Sequence, residues 1–218
     1  MLNCNVIPQH INFNCETCQK CSGKSNFDYP FQKDLFNSDG FVNALMEHIE
    51  RTTGAKCRKT TIDKNPDINV FSKSGALVCR VEAKYLEGQA FMKSFNTCGL
   101  YPKECLVIDR PKLLSYFDCK ENDRRKGCNI PIYVAWKFDR PCEDIGGITI
   151  AQEIDVLRQI YNQYGDVRFF ERAEAITDYS NGRRLGITSK YHFSIRECFP
   201  IENLVEEIRR LLYSLPTM

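Results

Sequence analysis

The stretch Asn65–Lys84, NPDINVFSKSGALVCRVEAK, decides how the chain is read. Two strand-like runs, Asp67–Ser72 and Ala76–Leu86, flank the turn-forming residues SKSG, so the sequence predicts a β-hairpin. With the turn centred on Lys73 and Ser74, Ser72 faces Gly75, Val70 faces Leu77 and Asp67 faces Arg80. Glu82 is then the diagonal neighbour of Asp67, about 7–8 Å away at the backbone. Glu82 and Lys84 are two apart and share that face, whereas Cys79, Val81, Ala83 and Tyr85 point the other way and read as core. A slip of one residue would separate the two acids, so everything hangs on the register. Arg80, Glu82 and Lys84 could decorate a solvated strand face. The apolar residues around them instead suggest a central strand, where unpaired charge is costly.

Working outward, the sequence predicts a helix over Gly40–Thr53, capped by Ser38 and Asp39 and stopped by Gly54. Its apolar stripe is Phe41, Leu45 and Ile49, with Val42 and Met46 beside them, and Glu47 and Glu50 lie opposite. A strand over Cys57–Ile62 precedes the hairpin. After it come a helix from about Gln89, a buried strand over Glu104–Asp109 and a helix beginning after Pro111. The most strand-like run of the chain is Ile130–Phe138. A helix over Ala151–Tyr164, strands over Val167–Ala175 and Lys190–Arg196, and a well-patterned helix over Ile201–Tyr213 complete the reading. The order α-β-β-β-α-β, continued by further elements, predicts a mixed α/β domain with a central sheet flanked by helices.

Composition bounds the function only loosely. The 218 residues suffice for one substantial core, 43% are hydrophobic and 27% charged, and the net charge is +2. A charge so small neither advertises nor excludes a nucleic-acid partner, because local patches set the field at a groove. No apolar run approaches the ~20 residues that span a bilayer, and no signal peptide is read at the N-terminus, so no membrane partner and a cytoplasmic location are expected. No phosphate-binding loop of the G-x-x-x-x-G-K-[ST] type occurs, and neither His48 nor His192 sits in a hydrolase-triad pattern.

There are 12 cysteines in the chain. In a reducing compartment a disulfide framework is not expected, so spacing carries the information. Cys4, Cys15, Cys18 and Cys21 form C-x10-C-x2-C-x2-C in a polar lead, residues 1–25, that lacks a core of its own. Thiolates so spaced can converge on one soft metal, with zinc the first choice and an iron–sulfur cluster the alternative. His10 could replace Cys4, and free structural cysteines remain the bland reading. The other cysteines fall in apolar runs and read as small buried hydrophobes. The remainder, residues 26–218, reads as one domain with a motif core of about 40–138 and an extension over 139–218.

Two acids and a lysine at the end of a hairpin suit phosphodiester hydrolysis. The carboxylates of Asp67 and Glu82 can hold a hard divalent ion, most naturally magnesium, with the backbone carbonyl of Ala83 as a further ligand. Lys84 can orient or help deprotonate the attacking water, or neutralise charge developing on the phosphate. Pro66–Asp67, then Glu82–Ala83–Lys84 after fourteen residues, resembles the signature of the PD-(D/E)XK nuclease superfamily. That superfamily is built on an α-β-β-β-α-β, restriction-endonuclease-like core with the motif on the second and third strands. The resemblance implies magnesium-dependent cleavage of DNA, with Asp67 and Glu82 as metal ligands and Lys84 as the catalytic lysine. It also implies a place for an acid from the preceding helix, which Glu50, or less readily Glu47, would fill.

The function expected is therefore a magnesium-dependent endodeoxyribonuclease. A restriction-type or host-defence enzyme is favoured, because a large C-terminal half is available for target recognition, and a homodimer is expected for cutting two strands. The alternatives are a repair or junction-resolving nuclease, an RNA-directed nuclease, and a non-catalytic nucleic-acid-binding module of the same fold. The basic stretches Asn122–Gly127 and Asn181–Phe193, and Lys93, are candidate phosphate contacts or simply solvated surface.

Overall fold

The computed structural model of the chain describes residues 12–13, 31–62, 64–87, 92–142, 144–171, 179–180, 183–184 and 189–215. Cys4, Cys15, Cys18 and Cys21, with His10, lie outside the described residues. At the centre is the second arm of the expected hairpin. Strand β3 (Leu77–Glu87) follows β1 (Lys56–Lys59) and β2 (Ile68–Phe71), and pairs antiparallel with β2, which pairs antiparallel with β1. On its other side β3 runs parallel to β5 (Ile132–Asp139). Strands β6 (Thr149–Glu153) and β11 (Phe199–Pro200) extend the sheet to six strands in the order β1-β2-β3-β5-β6-β11.

The hairpin register differs from the expected one in two places. Its loop holds three residues, Lys73–Gly75, because Ser72 N–H bonds to Ala76 O (2.8 Å) and Gly75 takes a positive φ of 89°. A bulge then lets Val78 fall between the pairs Phe71↔Leu77 and Val70↔Cys79. Each irregularity shifts the pairing by one residue. Together they shift it by two, and because side chains alternate with a period of two the faces are unchanged. Ile68 pairs with Val81, so Asp67 comes opposite Glu82 itself instead of Arg80.

A parallel neighbour demands a long crossover. The short helix α2 (Ser94–Cys98) cannot supply it, and the strand expected at Glu104–Asp109, β4 (Cys105–Asp109), does not enter the main sheet. The crossover is α3 (Arg110–Arg125), whose 16 residues extend about 24 Å, close to the ~26 Å of β5. With α1 (Phe31–Thr53), the core thus reads α1-β1-β2-β3-α3-β5, the α-β-β-β-α-β arrangement that the resemblance implies. Strand β4 belongs to a small second sheet of order β4-β10-β7, with β7 (Phe169–Glu171) and β10 (Ser189–Ser194). Two further short strands, β8 (Tyr179–Ser180) and β9 (Arg183–Arg184), pair with each other.

Two apolar layers sandwich the main sheet. On one face Ile68, Val70, Cys79, Val81 and Ala83 pack with Phe41, Leu45 and Ile49 of α1 and with Leu204 and Ile208 of α5 (Ile201–Ser214). On the other, Val134, Trp136 and Phe138 of β5 pack with Leu113 and Phe117 of α3, Leu157 of α4 (Ile154–Tyr164), and Tyr191 and Phe193 of β10. Each fully buried large side chain contributes about 1.5–3 kcal/mol. Cys57, Cys79, Cys98, Cys105 and Cys142 are buried, whereas Cys128 is exposed.

Two helix boundaries move. Helix α1 runs through Ser38, Asp39 and Gly40, where a cap was expected, because Asn37 bonds to Glu87 at the end of β3 and Asp39 to Lys59 of β1 (2.9 Å). These tertiary contacts outweigh a local preference for capping. Ala151–Glu153, expected as the start of a helix, belong instead to β6, whose β-branched and small residues are buried between β5 and β11. Among the described residues, no helix is long and apolar enough to cross a membrane.

Candidate active site

The even-numbered residues of β3 lie under α3, and helix and strand match one another position for position. Arg80 donates to Asp123, the Tyr116 hydroxyl approaches Glu82, and Asp109, at the N-cap of α3, acts on Lys84. The helix partners are spaced by seven, two full turns, so they present one face. Arg80 and Lys84 each meet an acid, and Glu82 between them meets a neutral phenol.

Glu82 is only 1% exposed, and both its oxygens are buried without a well-aligned hydrogen bond. The Lys84 ammonium stands 2.5 Å from its Oε1. Opposite lies Asp67, whose backbone carbonyl accepts from Thr60 N–H (2.8 Å) and whose Oδ2 accepts from Ala83 N–H (3.0 Å). Burial, and next the Glu82 carboxylate, push the Asp67 pKa up to about 6, although the Ala83 bond and Lys84 oppose the rise. Burial alone would lower the Lys84 pKa, but Glu82, with Asp67 and Asp109, raises it, so the ammonium stays charged. Burial and Glu82 together push the Tyr116 hydroxyl far up, and it remains neutral.

This donor set fits a hard divalent ion. Two neighbouring carboxylates have one ammonium, paired to Glu82, so Asp67 adds an excess of negative charge that a divalent ion would reverse. Among the described residues no group of three His, Cys, Asp or Glu side chains could hold a metal, so the remaining positions would fall to backbone oxygen and water, which magnesium accepts readily. The group forms one end of an open cleft of about 490 Å³, whose walls carry Ser38, Asp39 and Val42 of α1, Glu87, Asp109, Lys112 and Lys190.

Asp67, Glu82, Ala83 and Lys84 thus come together. Ala83 contributes its N–H, as an anchor for Asp67. Glu50 does not join them: its Oε1 accepts from Cys57 N–H (2.8 Å) at the entry to β1, and it is absent from the cleft walls. The acid that α1 presents to the cleft is Asp39, three turns earlier, at a position where the sequence alone suggests the cap that starts the helix. Glu47 is exposed, and both His48 and His192 are buried. Trp136 is core, as expected. Lys190 belongs to the basic stretch Asn181–Phe193 that the sequence already marks as a candidate phosphate contact, whereas Tyr116, Asp109 and Lys112 carry no local signal. The seven-residue spacing Asp109–Tyr116–Asp123 was visible, but nothing in it named β3 as its partner.

No protein-family model matches the sequence, and no curated protein matches it. Similar solved structures include Hjc, a Holliday junction resolvase from Archaeoglobus fulgidus, an archaeal hyperthermophile (11% identity, TM-score 0.41, covering 78% of this chain and 96% of that one). Another is D212, a nuclease from a fusselovirus (9% identity, TM-score 0.46, covering 88% of this chain and 99% of that one). The fold is defined here by the sheet order and registers, not by these similarities.

Proposed function

We propose that this chain is a magnesium-dependent endonuclease that hydrolyses DNA phosphodiester bonds. The observation that carries the reading is the buried Glu82 with the half-buried Asp67 just before the facing strand, two carboxylates at an open cleft with one lysine, Lys84, paired to Glu82. A purely structural polar cluster would be expected to balance its charge, as Arg80 and Asp123 do.

Asp67 and Glu82 would hold magnesium, with the Ala83 carbonyl as a further ligand. The ion would supply Lewis acidity to a phosphate oxygen and lower the pKa of a bound water. Ala83 N–H fixes one oxygen of Asp67, and the neutral Tyr116 hydroxyl lies close to Glu82. Lys84, protonated beside Glu82, holds positive charge where the phosphate gains negative charge and orients the attacking water. In the metal-free protein it is not a proton acceptor.

The restriction-type or host-defence reading drew on a free C-terminal half. Strands β6 and β11 and helix α5 are used in the central sheet and its α1 layer, so among the described residues of that half the β7–β10 region is what is left for target recognition. A homodimer would place two such sites on two strands. The N-terminal cysteines belong to the proposal as a second, structural centre, zinc first and iron–sulfur second. Metal analysis with an optical spectrum separates a colourless zinc protein from a brown iron one.

The test is plasmid cleavage by wild-type and Glu82→Ala protein, with magnesium and with EDTA. Cleavage is expected from wild-type with magnesium only. Cleavage surviving EDTA or the substitution would sink the site, and no cleavage of DNA or RNA by wild-type would favour a non-catalytic binding module.

A further inference from the structure

The two walls of the cleft carry different charge patterns. The wall made by α1 and the end of β3 carries the acids Asp39 and Glu87, the first paired with Lys59 and the second accepting from Asn37. The wall made by α3 and the small sheet carries Lys112 and Lys190, next to Lys84. Asp109 lies among these three lysines. It is the cross-strand partner of Lys190 and pairs with it, its charge raises the Lys84 pKa, and Lys112 is three residues further along α3. Residues three apart at a helix start lie about 5–6 Å apart at Cβ.

One carboxylate cannot balance this wall. Lys84 is taken by Glu82 and Lys190 by Asp109, while Lys112 is exposed and makes no ion pair with the described residues. Asp109 does not cap the helix that it begins, since its side chain makes no capping hydrogen bond. Its carboxylate goes to Lys190 instead, which holds that ammonium at the cleft wall. The surplus cation is thus on the wall adjoining the Lys84 end of the metal pair.

We infer that Lys112 and Lys190 form a second phosphate subsite, which takes the phosphodiester group flanking the scissile one on the same strand. This rests on the nuclease reading and adds a direction to it: the backbone of the cut strand runs along the α3–β10 wall, away from Asp39 and Glu87. Asp109 holds Lys190 in place and damps its charge, so it is a positioning residue with an unfavourable charge of its own toward the substrate.

The test is binding of a fluorescent DNA duplex in EDTA, followed by anisotropy over a range of salt, so that cleavage plays no part. Each phosphate contact adds about 0.9 to the slope of log affinity against log salt. Lys112→Ala and Lys190→Ala should each flatten the slope by about that amount, equivalent to about a threefold smaller loss of affinity between 50 and 200 mM salt. Asp109→Asn should tighten binding at low salt, a sign that a merely structural role would not give. Lys59→Ala, behind the other wall, should leave the slope at the wild-type value. Unchanged slopes in both lysine variants would overturn the subsite, and if wild-type still cleaves DNA the nuclease reading stands without it. A wild-type protein that neither binds nor cleaves DNA overturns both.

Discussion

Arg80 and Glu82 sit two residues apart on the same face of the same strand, under the same helix, and their surroundings are opposite. Arg80 meets Asp123 with two nitrogens (the second 3.4 Å away), both side chains are mostly buried, and the charges cancel. Glu82 meets a second carboxylate, a phenol and a single lysine, and its oxygens lack aligned donors. One pair is settled by the fold, and the other is held by the fold in a state that a cation would relieve. Strand and helix therefore do structural work at one end and present a reactive group further along.

The largest expected effect breaks the reactive half. Glu82→Gln should lower cleavage at least about a thousandfold, the scale of losing a group that acts on the reacting phosphate, while leaving the metal-free protein folded. Removing the repulsion should also bring the Asp67 pKa down from about 6, which a pH titration of that carboxyl would record.

Breaking the settled half should do the reverse. Arg80→Ala leaves Asp123 without its partner and should cost about 3 kcal/mol of stability in a denaturant melt, with cleavage per folded molecule retained at low temperature. If instead Arg80→Ala abolished cleavage without loss of stability, the division between the two ends would be wrong.

Tyr116→Phe lies between these extremes. It removes only the hydroxyl facing Glu82, and should weaken magnesium affinity about tenfold, as supporting groups behind metal ligands do, with little change in melting. The smallest effect is expected at Glu50. Glu50→Ala should cost about 1 kcal/mol through the lost bond to Cys57 N–H and leave cleavage nearly unchanged. A large catalytic loss there would restore Glu50 to the site.

Much of the fold was visible in the sequence where a local period carried it. The stripe of Phe41, Leu45 and Ile49, the run that became β5 and the last helix were all read from spacing, because each buries one continuous face. The hairpin was read with the wrong partners and the right faces: a three-residue loop and the bulge at Val78 each moved the register once, and the second move undid the damage of the first. What local patterns could not reach was pairing at a distance. The chain folds β4 into a second sheet, runs α3 back over β3 and brings Lys190 beside Asp109, 81 residues away in sequence. Tyr116 and the lysine wall follow from those long connections. The end of β6 has a related origin, since Ala151–Glu153 continues smoothly into the helical pattern of α4 and only the neighbours β5 and β11 make it a strand.

The pH dependence of ion binding tests the central claim most directly. Asp67 must lose its proton to bind a cation, and its pKa is raised to about 6, so protons compete below that value and cease to do so above it. In the metal-free protein the same raised carboxyl favours folding at low pH, and that contribution is lost as pH rises through about 6. Calorimetric titration of magnesium into wild-type and Glu82→Gln protein at pH 5 and 7.5 would separate the outcomes. The account predicts a saturable Glu82-dependent ion at pH 7.5, with proton uptake by buffer near pH 6 and about tenfold weaker binding at pH 5. Binding equally tight at both pH values, or a full-strength Glu82→Gln site, would contradict it.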